Sequence, residues 1–521
     1  MKDLSNQKKF DPVRGCQGQS TGIFGGLFIL LLTVAYGIFQ NKVLPGGGPK
    51  VPEVFTWYPA WFPESFQFAG INRNYYDILA IVVLGFLGMV CWEFLRRPLL
   101  RAYILGLALL SVGGAFAVAS HAEWFFASET HAALGWTWNR FEVILALCTV
   151  GYTLPWLLYP VVNRETLVIT PFAQAFRSAF FRWVSGLAVF TLLVFITFQH
   201  PFYGNNYYEN WRITCGYLYS IYLLFGFPYA LITCLLRGHR FEDRSDPNFV
   251  LLMLFRRALR RIFGIQPTQM HWKITNRRIG VTLRDLCVKL FWIPLMITFL
   301  YLECNGVFAN VPQLWEALVS GDQWHRAFNY FYGSYFHGLF VMDVSIGLIG
   351  YLAASRWLNN KSKSVDPTLF GWFITLACYP PFNGVVSNYL PYGNSMGNAP
   401  YAIFQPEWVD VLLKSLTLVC FTVYVWATLV FGLRFSNLTN RGIITTGPFS
   451  IIRHPAYTMK NIAWWLENIR NFGSPWQFFF LAMWNVIYYL RAITEERHLR
   501  RDPDYLAYCE RVKYKFIPGV W

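Results

Sequence analysis

Two short polar runs near the C-terminal end carry side chains that could do chemistry together. The first is Gly447-Pro448-Phe449-Ser450-Ile451-Ile452-Arg453-His454-Pro455-Ala456-Tyr457, a turn leading into a helix start. Pro455 suits the first helical turn, where a missing N–H costs nothing. The second is Arg491-Ala492-Ile493-Thr494-Glu495-Glu496-Arg497-His498, which follows an apolar stretch and presents adjacent carboxylates. The stretches between them, Thr458 to Phe472 and Pro475 to Ile493, read as a tight helical hairpin turning at Asn471, Gly473, Ser474 and Pro475. Such a hairpin brings Arg453, His454, Tyr457, Glu495 and Glu496 together at the edge of a low-dielectric region. That mixed-charge cluster can hold a zwitterionic or cationic cofactor, and S-adenosylmethionine suits it. Glu495 and Glu496 can take the amino group or ribose hydroxyls, Arg453 and His454 the carboxylate, and Tyr457 lines the pocket, with the sulfonium facing an amphiphile from the bilayer. Methyl transfer needs in-line positioning and exclusion of water more than an acid or a base. Asn461 and Glu467, on the same predicted helix, could face the acceptor; packing against neighbouring spans is the alternative use for both.

The elements that must position these groups are membrane helices. Of 521 residues, 55% are hydrophobic, 19% aromatic and only 14% charged, and the mean hydropathy is +0.33; a water-soluble domain of this length needs far more charge to cover its surface. The formal net charge of +16 sits in short loops, where basic residues set topology and meet anionic headgroups, so membrane lipids rather than nucleic acid are the expected partner. Cys91, Cys148, Cys215, Cys234, Cys287, Cys378 and Cys420 fall inside apolar segments with no CxxC pair, which implies neither a disulfide framework nor a metal site.

Windows with the roughly 20 apolar residues needed to cross about 30 Å of hydrocarbon occur at Thr21 to Gln40, Tyr76 to Leu95, Arg101 to Ser120, Phe141 to Pro160, Trp183 to His200, Thr214 to Leu236, Leu286 to Glu303, Ser334 to Ala354, Leu369 to Val386 and Val409 to Leu433. With the hairpin they predict an all-α, polytopic transmembrane helical bundle of about ten to twelve spans. Lys and Arg concentrate in alternate loops, which puts both termini in the cytoplasm. The other loops, Leu44 to Ala69, Pro201 to Trp211 and Asn388 to Glu407, are rich in aromatics and could touch a membrane or periplasmic protein partner. The first apolar run has no cleavage site and reads as a retained helix. The predicted organisation is a cytoplasmic tail at 1–20, a multi-span region at 21–405 with a basic cytoplasmic insertion at 237–284, and a C-terminal module at 406–521 whose active site faces the cytoplasm. Within the insertion, Phe249 to Phe263 has the apolar-and-basic pattern of an interfacial helix. Ionisable residues at membrane depth are functional candidates, but Glu93, Glu142, Asp285 and Glu303 lie near predicted helix ends. His337 and Asp343, six apart in one span, do not form a helical pair.

The joint spacing of the two polar runs resembles the isoprenylcysteine carboxyl methyltransferase and phospholipid methyltransferase family. Its C-terminal pattern is matched here by Gly447, Arg453, His454, Pro455, Tyr457, Glu495, Glu496, Leu499, Tyr505, Tyr508 and Pro518, over roughly residues 430 to 521. After Tyr457, where the family often has a glycine, the chain reads Thr458-Met459-Lys460. The resemblance implies binding of S-adenosylmethionine by Arg453, His454, Glu495 and Glu496 and methylation of a lipid-like or prenylated substrate. The ending Tyr508 to Pro518 is also similar to sterol C14-type reductases, which implies NADPH and reduction of a sterol or isoprenoid double bond as the alternative. Arg491, Arg497, Arg500 and Arg501 could serve a 2′-phosphate. A third reading is a non-enzymatic membrane scaffold that retains the hairpin.

Overall fold

In the computed structural model the described residues are 12–43, 73–94, 130–133, 136–139, 169–204, 206–237, 247–264, 276–321, 324–352, 360–392, 406–469, 472 and 474–520. The expected spans Arg101 to Ser120 and Phe141 to Pro160, the loop Leu44 to Ala69, most of the N-terminal tail, most of the loop Asn388 to Glu407, parts of the 237–284 insertion, and Asn471 and Gly473 of the hairpin turn lie outside them. The fold is helical. Among the described residues, strands form only two short antiparallel pairs. Among the described residues five helices are long and apolar enough to cross a membrane: Ser20–Gly37, Phe172–Gln199, Asn276–Val319, Trp324–Leu352 and Glu407–Arg434.

The chain divides into two compact units, residues 44–301 and residues 1–43 with 302–521. In the first, α2 (Arg73–Phe94) precedes a hairpin of β1 (Thr130–Ala133) and β2 (Trp136–Asn139). Helix α3 (Phe172–Gln199) then packs on α4 (Glu209–Arg237) and α5 (Pro247–Ile262). Small side chains make the α3–α4 approach close: Ala175, Ala179 and Cys234 are buried together against Phe227 and Leu231. The opposite face of α3 leaves Phe172, Leu192 and Phe195 exposed, a surface suited to lipid and poorly suited to water. Helix α5 buries Val250 and Met253 near its start, and further along exposes Phe255 and Ile262 on one face and Arg257 and Arg261 on the other, the amphipathic pattern expected of an interfacial helix. Helix α6 (Asn276–Val319) begins in this unit and runs well past the apolar window that ended at Glu303. Hydropathy marks only its apolar part, whereas backbone hydrogen bonding carries the helix through the more polar Asn310 to Glu316.

In the second unit, α1 (Pro12–Val43) packs on α7 (Trp324–Leu352) and α10 (Glu407–Phe431), and α7 packs on α10. Gly22 allows that approach: a Cβ there would overlap the Leu429 carbonyl oxygen and the Gly432 backbone. One expected span is corrected. Leu369 to Val386 is not a continuous helix but two short ones, α8 (Leu369–Leu376) and α9 (Phe382–Tyr389), interrupted at Pro380 and Pro381. Two consecutive prolines remove two backbone donors and clash with the preceding turn, so apolar composition does not carry a span across them. Helices α11 (Pro455–Asn468) and α12 (Pro475–Leu499) form the expected hairpin, with α11 against α10 and α12 against α8. Ser474 caps α12 through a reciprocal capping box with Gln477, a motif that replaces two otherwise unmet backbone bonds. At 14 residues α11 spans only about 21 Å, too short to cross the bilayer alone.

Candidate functional site

The Arg453-His454 turn is fixed from three sides. Gly447 adopts φ 62°, a left-handed conformation that glycine enters without a side-chain clash. His454 is the N-cap residue of α11, with Pro455 in its first turn. The chain end then runs alongside: Arg453 N–H donates to the Tyr514 carbonyl at 3.0 Å and His454 N–H to the Lys515 carbonyl at 2.9 Å. That tail is held by α13 (Pro503–Arg511), whose Tyr505 and Tyr508 are buried against Val430, Ile443 and Phe449, with Leu499 beside them. The Tyr508 hydroxyl donates to the Phe449 carbonyl at 2.7 Å. Leu499, Tyr505 and Tyr508 therefore work by packing. A two-stranded strap, β3 (Ser364–Val365) paired with β4 (Thr439–Asn440), adds the preceding chain; Asn440 donates to Asp502, the cap of α13, at 2.7 Å.

All five expected residues of the cluster come together, but they divide into two groups. Glu496 is 3% exposed and is surrounded by cations: His454 Nε2 at 3.3 Å and Arg453 Nη1 at 3.4 Å on Oε1, Arg500 Nη2 at 3.5 Å and Lys515 Nζ at 3.6 Å on Oε2. Burial alone would raise its carboxyl; the hydrogen bond from His454, then the charges of His454, Arg453 and Lys515, outweigh burial and hold the group at about 2. Arg453 also reaches Cys509 Sγ at 3.0 Å, and the His454 ring stacks on Tyr457 and Phe516 at centroid separations of 5.5 and 5.4 Å. The second group is Glu495, half-buried, whose Oε2 accepts from the Tyr457 hydroxyl at 2.7 Å. Four basic side chains meet one carboxylate in the first group; in the second, the partner is a neutral hydroxyl.

The Glu496 arrangement has a pH signature. Its carboxyl lies below the ordinary value of 4.5 in the folded protein, so the stabilisation is complete above that value and is lost as pH falls from about 5 towards 2. Thermal unfolding of the detergent-solubilised protein is expected to drop steeply across that interval. The same scan on the Glu496→Gln protein, already lacking the ionisable group, should be flatter there.

Asn461 stays near the site, its Nδ2 donating to the Tyr457 carbonyl at 2.7 Å while its Oδ1 is buried without a partner. Glu467 does not join it. It accepts from the Tyr332 hydroxyl at 3.5 Å, and by helix rise lies about 20 Å from His454 along α11.

Three arrangements have little or no signature in the sequence. His337 Nδ1 meets Glu303 Oε2 at 2.8 Å across α7 and α6, in space left by Gly306, where a Cβ would collide with the imidazole. Asp343 accepts from Tyr424 at 3.0 Å across α7 and α10. Arg491 is buried, bonded to Asn437 Oδ1 at 2.8 Å and the Tyr379 hydroxyl at 3.3 Å. The partners come from helices far apart in the chain, so helical spacing carries no trace of them. Among the described residues no group of His, Cys, Asp or Glu is arranged to hold a metal ion.

Two of the arginines expected to serve a 2′-phosphate are already engaged. A 2′-phosphate needs cations without carboxylate partners, yet Arg500 is on Glu496, and Arg497 is on Thr368 with Asp366 at 3.9 Å. Arg491 stands over the rings of Tyr379, Tyr457 and Tyr488 without a carboxylate in ion-pair contact. Glu495 and Tyr457 place a carboxylate beside an aromatic ring. Compared with known families, residues 410–502 match the family model for phospholipid methyltransferases. No curated protein and no solved structure matches the chain.

Proposed function

We propose that the C-terminal unit is a membrane methyltransferase that uses S-adenosylmethionine to methylate a lipid-like or prenylated acceptor, with its site open to the cytoplasm. The observation that carries this reading is the pairing of a half-buried carboxylate, Glu495, with Tyr457 inside a segment matching the phospholipid methyltransferase family. The cofactor supplies an electrophilic methyl group. Glu495 binds its amino group or ribose hydroxyls, and Tyr457, held by that carboxylate and by the stacked His454 ring, forms the wall beside the sulfonium. Arg453 and His454 act mainly on Glu496: the ion cluster ties the end of α12 to the start of α11 and so fixes where Glu495 and Tyr457 stand. Asn461, one turn further along α11, offers its unpartnered Oδ1 to the acceptor. The buried surroundings exclude water, which for a transfer without acid–base chemistry is a main contribution the protein makes.

The test is incubation of membranes containing the protein with methyl-tritiated S-adenosylmethionine, followed by organic extraction. Label is expected in the organic phase with the wild-type chain and at background with Glu495→Gln. Equal label in both would overturn the reading.

A further inference from the structure

Beyond the cofactor groups, the hairpin encloses a cation whose hydrogen-bonding capacity is unused. Lys460 lies one turn past Tyr457 on α11, half-buried, with its ammonium over three rings: Tyr424 at 5.5 Å, Trp464 at 5.2 Å and Tyr488 at 5.9 Å from the ring centroids. Ring faces attract a cation but do not satisfy three N–H donors. Among the described residues, neither Lys460 nor Arg491 is in ion-pair contact with a carboxylate. Arg491 stands over the same Tyr488 ring at 5.8 Å, and over Tyr457 at 5.0 Å and Tyr379 at 5.2 Å. Its own hydrogen bonds go to neutral groups, Asn437 and Tyr379. The neighbouring carboxylates are each turned to a tyrosine hydroxyl, Asp343 to Tyr424, Glu467 to Tyr332 and Glu495 to Tyr457, and Asp343 and Glu467 act on Lys460 through space without an ion-pair contact. Two cations thus flank one aromatic ring in a low-dielectric region with no acid directly on either.

We infer that Lys460, assisted by Arg491, binds an anionic group on the acceptor. Ionised side chains at membrane depth are costly unless a partner compensates them, and a carboxylate or phosphate oxygen is the ligand that would satisfy the idle ammonium donors. The placement also suits the reaction. Three residues along α11 correspond to a rise of about 4.5 Å, so an anion on Lys460 brings the rest of the same headgroup beside Tyr457 and Asn461. Trp464, one turn further, continues an apolar cluster with Tyr392, Trp484 and Tyr488. Lys460 is on this account a specificity residue: it selects an acidic amphiphile over a neutral or cationic one.

This inference rests on the methyltransferase reading for the word acceptor, but the site is testable without it. Scintillation-proximity binding of tritiated hexadecanoate and tritiated hexadecyl phosphate to the full-length protein in non-ionic detergent would be measured, with unlabelled hexadecanol and hexadecyltrimethylammonium as competitors. The expected result is that neither competitor displaces the labelled anion at equimolar concentration. Lys460→Met should weaken anion binding at least tenfold, Lys460→Arg less than threefold, and the surface control Arg511→Met not at all. Which label binds more tightly identifies the group as carboxylate or phosphate. Efficient displacement by hexadecanol or by the ammonium amphiphile would overturn the inference even if Lys460→Met could not be purified; so would wild-type binding by Lys460→Met. S-Adenosylhomocysteine binding on the same preparations separates the two claims. If it is absent while the anion still depends on Lys460, the methyltransferase reading fails and the anion site stands. If it is present while the anion ignores Lys460, the reverse holds.

Discussion

Replacing Glu496 by Gln is expected to destabilise the C-terminal unit by about 3–5 kcal/mol, the range found when one member of a buried ion cluster is removed. The carboxylate is 3% exposed, and the Arg453 and His454 side chains facing it are 7% and 6% exposed; a neutral amide would leave the Arg453 charge buried with no counter-ion. Because these residues join the start of α11 to the end of α12, and the chain end pairs with the same turn, the loss should release the tail as well. Hydrogen exchange at the amides of Arg453 and His454 would report it, rising in the variant together with the fall in thermal stability. An unchanged exchange rate at both amides would show that the cluster is not what holds the turn.

Glu495→Gln should behave oppositely. Gln can still accept from the Tyr457 hydroxyl, so folding should be nearly unaffected. The charge that would bind a cationic amino group or bridge ribose hydroxyls is gone, and loss of a charge-assisted bond in a buried site is worth about 3 kcal/mol, or roughly a hundredfold in affinity. Adjacent carboxylates on one helix are thus expected to give two phenotypes, a fold defect at 496 and a binding defect at 495. Tyr457→Phe provides the intermediate case: it keeps the ring and the charge but frees the carboxylate to move, and should weaken binding less than Glu495→Gln does.

The sequence made the helical membrane class legible because long apolar runs punctuated by basic loops have few other physical readings. It also made the hairpin legible, since Pro455 and the Ser474-Pro475 pair mark helix starts that the structure contains. The apolar run from Leu369 misled because hydropathy counts side chains, while Pro380 and Pro381 act through the backbone. In the site, convergence of Arg453, His454, Tyr457, Glu495 and Glu496 follows from a short hairpin and could be read. The division of labour between the two glutamates could not, because it depends on Lys515 and Arg500 reaching Glu496, and nothing in local spacing fixes where a chain end folds back. The partner of Glu467 could not be read either, because helical phase puts it on α11 without saying that the Tyr332 hydroxyl from another helix reaches it. Lys460 was passed over as a residue after a motif; only the ring faces contributed by α10 and α12 give it a setting.

The central claim, that this hairpin binds S-adenosylmethionine through Glu495, is tested most directly by calorimetric titration of the purified full-length protein with S-adenosylhomocysteine and, separately, with NADPH. The titrations would be run on wild type and on Glu495→Gln. Saturable binding of S-adenosylhomocysteine that Glu495→Gln loses, with no heat from NADPH, is the predicted result. Binding of NADPH alone, or S-adenosylhomocysteine binding that Glu495→Gln leaves unchanged, would contradict it.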